Sequence, residues 1–355
     1  MKLYFVLDYL GGRGGVETVV TAISNQFVNK GHEVAILLPK PSGDKSWERE
    51  VPNVYYYNEK HDKGNAIDNC IGVAQIIQKI GVPDAIIATH TPHSVLYSRV
   101  ALGLHSKVPI ISWLHQPLKS FYDPHYVKYA DLYWAISASI KKELIKSKID
   151  SDKICLVGNP INLNVSMIEP ILGNHFVYIG RLENNQKQID LLLNTLALFQ
   201  NKWSLDIIGD GPDNEKLKSL AERLNIRDRV RFHGWSYDPW DIVRSIRISA
   251  LVLVSKYEGF GLVVAEALSR GIPVIATKVE GPDELIQPHE NGWLIEPGSS
   301  QQLLDAFNEI NDLSNDQLKL LSRNARKSVD KYATEKAMDK MIETFINIKE
   351  RRNRL

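Results

Sequence analysis

Glu258 and Glu266 stand eight positions apart in the run Glu-Gly-Phe-Gly-Leu-Val-Val-Ala-Glu, with Gly259 and Gly261 between them. An apolar stretch that reads as a buried strand, Ile248 to Val254, precedes the run, and a helix-like stretch, Leu262 to Arg270, follows it. The first carboxylate therefore belongs to a strand-to-helix loop and the second to the helix itself, more than a turn in. Between them the glycines expose backbone N–H groups at a helix N-terminus, where unsatisfied donors and partial positive charge favour phosphate. Such a set suits a sugar-nucleotide pocket: one glutamate for sugar hydroxyls, amides for phosphates, one glutamate for a ribose diol. A glutamate ahead of a helix also complements the helix dipole, and glycines also make turns, so the pair needs support from the rest of the chain.

That support comes from other strand ends. Gly11-Gly12-Arg13-Gly14-Gly15-Val16-Glu17 separates the first apolar run from a helix-like stretch, which lets the backbone approach a phosphate or diphosphate closely. Its spacing is not the Gly-x-Gly-x-x-Gly of dinucleotide binding, and it lacks the Lys-Ser/Thr that holds a triphosphate with Mg²⁺. Gly180-Arg181 ends another apolar run, with Lys187 six positions after the arginine. The two cations could neutralise a departing diphosphate, Arg181 as a planar fork and Lys187 as a mobile point charge. Gly209 and Gly234-Trp235 end two further runs and suggest a nucleotide lying along that edge, although Trp235 and Trp240 suit a core equally well. His115 ends the run that includes Trp113, where a histidine could meet a sugar hydroxyl or the reacting centre; His90 and His93 flank another strand end. Asp150-Ser151-Asp152 reads as a turn and cap rather than a metal site. No His/Cys cluster has ligand spacing, so no metal or other cofactor is expected.

The elements that must position these residues alternate regularly. Strands are expected at Leu3–Asp8, Glu33–Leu38, Ala85–Thr89, Pro109–Leu114, Leu132–Ile136 and Ile154–Val157, and then at Phe176–Gly180, Leu205–Gly209, Val230–His233, Ile248–Val254, Pro273–Thr277 and Trp293–Ile295. Helices are expected between them, among them Val16–Lys30, Ala66–Ile80, Gln188–Phe199 and Asp316–Lys331. Continuous apolar strands alternating with helices imply an α/β protein with parallel sheets covered on both faces. The 355 residues exceed what one core usually holds. The expected break lies near Gly158-Asn159-Pro160, with residues 162–174 as a linker. Two doubly wound, Rossmann-like domains facing across a cleft would bring both sets of strand ends to one site.

Net charge is +1, which gives no field for nucleic acid. Cys70 and Cys155 read as small buried residues of a reducing compartment, and no apolar run suits a signal peptide or a membrane span, so a cytoplasmic protein is expected. Met338, Ile342, Phe345 and Ile346 recur at helical spacing before the basic tail Lys349 to Arg354. The spacing favours a packed terminal helix; peripheral contact with the inner face of a cell membrane is the other use of such an end.

Gly14-Gly15-Val16-Glu17, Gly180-Arg181-Leu182 with Lys187, Ile208-Gly209-Asp210-Gly211 and Glu258-Gly259-Phe260-Gly261 with Glu266 resemble the retaining glycosyltransferases of family four, of the GT-B fold. Within that family the pattern is similar to the lipopolysaccharide 1,6-galactosyltransferases, although Gly261 stands where that subgroup often has proline. The resemblance implies an N-terminal acceptor-binding domain (1–160) and a C-terminal nucleotide-sugar-binding domain (161–331), with a terminal helix at about 332–350 packing back on the first. It implies Glu266 on the ribose, Glu258 near the donor sugar, and Arg181 and Lys187 on the diphosphate beside the Gly261 and Leu262 amides. Gly14 and Gly15 would close over the phosphates, and His115 would contact the donor sugar near its reacting carbon. The implied activity moves a hexose, galactose or glucose, from a UDP-sugar to a hydroxyl of a cell-envelope glycan or glycolipid, such as a lipopolysaccharide, exopolysaccharide or teichoic-acid-like acceptor. A UDP-sugar epimerase or hydrolase on the same fold and a non-catalytic nucleotide-sugar-binding protein are the alternatives.

Overall fold

The computed structural model describes residues 1–353 apart from Tyr9, Arg13 and residues 60–64, with side chains described as far as Phe345. Ile346 and the basic tail thus lie outside the residues whose side chains are described. The chain divides into two compact units, Met1–Pro160 with Thr334–Leu355, and Ile161–Ala333.

The first unit runs β1 (Lys2–Val6), α1 (Gly15–Asn29), β2 (Glu33–Leu38), β3 (Val54–Tyr56), α2 (Ala66–Ile80), β4 (Ala85–Thr89), α3 (Pro92–Leu102), β5 (Ile110–Leu114), β6 (Leu132–Ala135), α4 (Ala138–Lys146) and β7 (Ile154–Leu156). Its seven strands pair in parallel in the order β3-β2-β1-β4-β5-β6-β7. The order reverses between β1 and β4, where register sets Leu3 opposite Ala85. Every residue of β4 and β5 is buried, as expected of strands covered on both faces.

The second unit runs β8 (His175–Ile179), α5 (Asn184–Lys187), α6 (Ile189–Leu198), β9 (Ser204–Ile208), α7 (Asn214–Arg223), β10 (Val230–Gly234), α8 (Pro239–Ile246), β11 (Ala250–Leu253), α9 (Leu262–Ser269), β12 (Val274–Thr277), α10 (Pro282–Leu285), β13 (Gly292–Ile295), α11 (Ser300–Asn311) and α12 (Asn315–Ser328). Its parallel strands lie in the order β10-β9-β8-β11-β12-β13, reversing between β8 and β11. Both units are therefore doubly wound, and in such sheets ligands bind beyond the strand ends at the reversal.

The structure adds to or adjusts the sequence reading at four places. β3 is a strand of three half-buried residues with no apolar run to announce it. The helix expected at Gln188–Phe199 forms as α6, but a short α5 precedes it, and Gln188 at φ 49°, a left-handed conformation, ends the one and caps the other. The helix expected to reach Lys331 stops at Ser328, followed by a 3₁₀ turn over Asp330–Tyr332. Residues 162–174 are irregular but tied down, with Ile168 N–H donating to the Arg270 carbonyl and Ile171 N–H to that of Ile248 (2.8 and 2.9 Å).

The last helix, α13 (Thr334–Asn353), packs on the first unit. Trp134 Nε1 donates to Thr344 Oγ1 at 3.1 Å, and Phe345 meets the rings of Trp134 and Phe27 edge-on at 5.8 and 6.0 Å. Among the described residues no helix is long and apolar enough to cross a membrane.

Candidate functional site

The loops after β8 and β11 leave adjacent strands at the reversal of the second sheet, and this adjacency brings together residues far apart in sequence. Lys187 Nζ donates to Glu258 Oε1 at 2.6 Å, and both side chains are largely buried. Ser255 Oγ donates to the same oxygen at 2.7 Å. The backbones are tied as well, Lys256 N–H donating to the Gln186 carbonyl at 2.8 Å. Lys187 is thus a counter-ion to Glu258 as well as a candidate phosphate ligand. An ammonium carries three donors, so one bond to Glu258 leaves two for phosphate oxygens. Arg181 is not part of this pair. Its side chain is 69% exposed, with Nε 3.6 Å from Glu183 Oε2.

Gly261 caps α9 with φ 77° and ψ 54°, so Leu262 opens the helix with its N-terminus at the end of the Glu258 loop. Glu266 lies one turn further on and accepts from Trp240 Nε1 at 3.3 Å. Arg270 stacks its guanidinium on the Trp240 ring, 4.3 Å from the centroid. Burial pushes the Glu266 carboxyl above the ordinary value, against the pull of Arg270 and the Trp240 N–H, with Asp238 adding to the rise. Trp240 itself is a core residue, 4% exposed, whereas Trp235 is 39% exposed and edges on Tyr237.

Gly180, Gly209 and Gly234 occupy three neighbouring strand ends. Gly180 N–H donates to the Ile208 carbonyl at 3.0 Å and Gly209 N–H to that of Gly234 at 2.8 Å. A Cβ at Gly209 would lie 1.9 Å from the Gly180 carbonyl oxygen, so the ends of β8 and β9 approach as only glycine allows.

In the first unit the glycine loop curls onto Glu17. Gly12 N–H donates to Glu17 Oε1 at 2.8 Å, and Glu17 is 7% exposed. One amide of the loop is therefore committed to a carboxylate rather than open to phosphate. Gly14, in extended conformation, is the N-cap of α1, and Gly15 is its first residue. Glu17 was part of the sequence motif without a role; its place in the first helical turn is the signal that pointed to one.

His115 follows β5, 8% exposed, against the Trp113 ring. Thr89 Oγ1 donates to the Trp113 carbonyl at 3.0 Å, so its single proton is spent. His115 Nε2, also 3.0 Å from Thr89 Oγ1, must be the donor there, which assigns the Nε2–H tautomer. Burial, aided by His90, lowers the His115 pKa to about 3. Below pH 6.5 the unfolded chain takes up a proton that the folded chain refuses, so stability is whole above pH 6.5 and falls as pH drops towards 3. Between pH 7.5 and 5 this ring alone should remove about 2 kcal/mol. Urea unfolding should show the wild type losing that much more than His115→Gln, and equal losses would mean that the folded ring titrates. His90, after β4, is held at φ 79° with burial lowering its pKa. His93 pairs with Asp123 at 3.4 Å.

The remaining expectations place simply. Asp150 precedes a 3₁₀ turn over Ser151–Lys153, and Cys70 and Cys155 are free thiols. Among the described residues no group of three or more His, Cys, Asp or Glu could hold a metal ion.

Comparison with known proteins matches the chain to two family descriptions, Glycosyltransferase Family 4 over residues 13–165 and Glycosyl transferases group 1 over residues 173–336. The lipopolysaccharide 1,6-galactosyltransferase of Salmonella typhimurium is 31% identical over 323 residues, 87% of this chain and 89% of that protein. Among solved structures, the apo form of the lipopolysaccharide outer core galactosyltransferase WaaB superposes with a TM-score of 0.83 at 27% identity, over 98% of this chain and 99% of that one. HepE of Anabaena, in complex with UDP-glucose, shares the fold with a TM-score of 0.82 at 21% identity, over 98% and 100% of the two chains.

Proposed function

The chain belongs to glycosyltransferase family 4 and is a hexosyltransferase of the GT-B fold; on that premise we propose that it moves galactose or glucose from a UDP-sugar to a hydroxyl of a cell-envelope glycan or glycolipid, with retention at the anomeric carbon. The observation that carries the reading is the pairing of Lys187 with Glu258 at the reversal of the second sheet, directly ahead of the α9 N-terminus. It sets a carboxylate for sugar hydroxyls beside a cation and helix amides for the diphosphate. The relative from Salmonella typhimurium supports a lipopolysaccharide-like acceptor, and the UDP-glucose complex of HepE supports a uridine nucleotide donor.

In this reading the unit spanning 161–333 binds the donor. Glu266 accepts from the ribose hydroxyls, and Gly180, Gly209, Gly234 and Trp235 border the nucleotide. As the bond from sugar to diphosphate breaks, charge grows on the leaving oxygen. Arg181, Lys187 and the Gly261 and Leu262 amides stabilise that charge where it develops. The departing phosphate takes the proton of the incoming hydroxyl on the same face, so no protein carboxylate serves as nucleophile. The first unit is the acceptor-binding one, where Gly14 and Gly15 offer amides suited to phosphate, and where His115, neutral and with Nδ1 free of the Thr89 bond, is suited to a sugar hydroxyl.

A panel of UDP-hexoses scored by UDP release, with and without extracted cell-envelope lipid, tests this reading. Release that rises at least tenfold with lipid is expected for one donor. Equal release without any acceptor would instead identify an epimerase or hydrolase, and binding without release a nucleotide-sugar sensor.

A further inference from the structure

We propose that Ser255 is a positioning residue for the transfer, fixing which oxygen of Glu258 meets the donor sugar, and that Thr277 fixes Ser255 in turn. The inference rests on the reading of Glu258 as a ligand of the donor sugar. Ser255 lies just beyond β11 and Thr277 ends the neighbouring β12; they are 0% and 1% exposed, so neither hydroxyl is placed to touch substrate itself.

Both donors to Glu258 converge on Oε1, Ser255 at 2.7 Å and Lys187 at 2.6 Å. Oε2 receives no hydrogen bond from the described residues. A carboxylate held through one oxygen is turned so that the other stands ready to accept, here from a sugar hydroxyl. The two donors are not equivalent. Lys187 has a long flexible stem and a charge that a diphosphate will attract, so it can turn away when the donor binds. Ser255 has one rotatable bond and is fully enclosed. Its backbone is anchored too: Thr277 Oγ1 donates to the Ser255 carbonyl at 2.5 Å. Ser255 therefore holds Glu258 in register at the moment Lys187 is shared with phosphate.

Ser255→Ala is expected to lower kcat about tenfold or more at saturating donor, the effect of one lost bond to a charged group. UDP affinity by calorimetry stays at the wild-type value, because UDP lacks the hexose that Glu258 meets. Deoxy analogues of the UDP-hexose give the decisive readout. The wild type should be penalised at one hydroxyl above the others, and that selective penalty should shrink in Ser255→Ala. Thr277→Val, similar in shape but without the hydroxyl, should show the same pattern more weakly, and it decides the matter if Ser255→Ala does not fold. Ser255→Thr keeps the hydroxyl and should restore the selective penalty. Wild-type kcat in folded Ser255→Ala, or an undiminished selective penalty in the variants, overturns the proposal. If the wild type itself releases UDP from no UDP-hexose, it is the reading of the donor that falls.

Discussion

Lys187→Met is expected to lower kcat by about two to three orders of magnitude, the largest loss of any single substitution outside Glu258. Two effects combine at this position. In the proposed mechanism the ammonium faces the diphosphate oxygens whose charge grows in the transition state, and in the structure it is the counter-ion of Glu258, 2.6 Å away. The side chains are 16% and 12% exposed, so the pair is partly desolvated and water only partly replaces the lost partner. Glu258 then keeps the Ser255 bond but is left as a partly buried charge without its counter-ion, free to turn away from the geometry that meets the donor sugar. Arg181→Ala should be milder, about tenfold, because its exposed guanidinium is not part of the pair and a mobile solvated charge contributes less. Lys187→Arg should not restore the wild type, since a planar fork cannot occupy the single position of an ammonium donating to one oxygen. Steady-state UDP release measures all three. A Lys187→Met enzyme within threefold of the wild type would remove the pair from the mechanism.

The strength of this expectation comes from a contact that the sequence did not display. Lys187 and Glu258 are 71 positions apart and meet only because β8 and β11 are neighbours at the sheet reversal. Sequence periodicity marks both strands but says nothing of their lateral order, so each residue was assigned to the ligand and neither to the other. Ser255 was overlooked for a similar reason. A serine at the end of an apolar run carries no signal of its own, and its bond to Glu258 three positions on depends on the turn between them. What sequence did display were features set by local physics. α2 runs Ala66–Ile80 as expected, because Asn65 caps it in a reciprocal box with Asp68 and Gly81 ends it at φ 96°. β2 and β4 match their apolar runs end to end. The short α5 gave no signal because its four residues are all polar; Gln188, in a left-handed conformation that glutamine seldom takes, turns the chain between α5 and α6, while the backbone bond from Lys256 to Gln186 holds α5 against the Glu258 loop.

The glycines of the second sheet carry the other large expected effect. Gly209→Ala should destabilise the protein by about 3 kcal/mol, combining backbone strain with overpacking. Gly209 sits at φ 145°, and an added Cβ would meet the Gly180 carbonyl oxygen at 1.9 Å and its carbon at 2.9 Å. The obstacle is backbone, so no side-chain rotamer can relieve it. Moving apart would stretch the bonds that hold the edge, Gly180 to Ile208 and Gly209 to Gly234. The melting temperature should fall by roughly 6–12 °C for a domain of this size. Turnover should fall beyond what the lost stability explains, because Arg181 follows Gly180 directly and the α5 turn bearing Lys187 hangs from the same strand end. Gly11→Ala is the control: a Cβ there meets nothing within 4 Å, and the change should stay within about 0.5 kcal/mol of the wild type. Thermal melts of both variants separate a requirement for glycine at this strand end from a general cost of replacing glycine. Matching melts for Gly209→Ala and the wild type would mean that β8 and β9 do not approach so closely, and the placement of Arg181 and Lys187 by that approach would have to be abandoned.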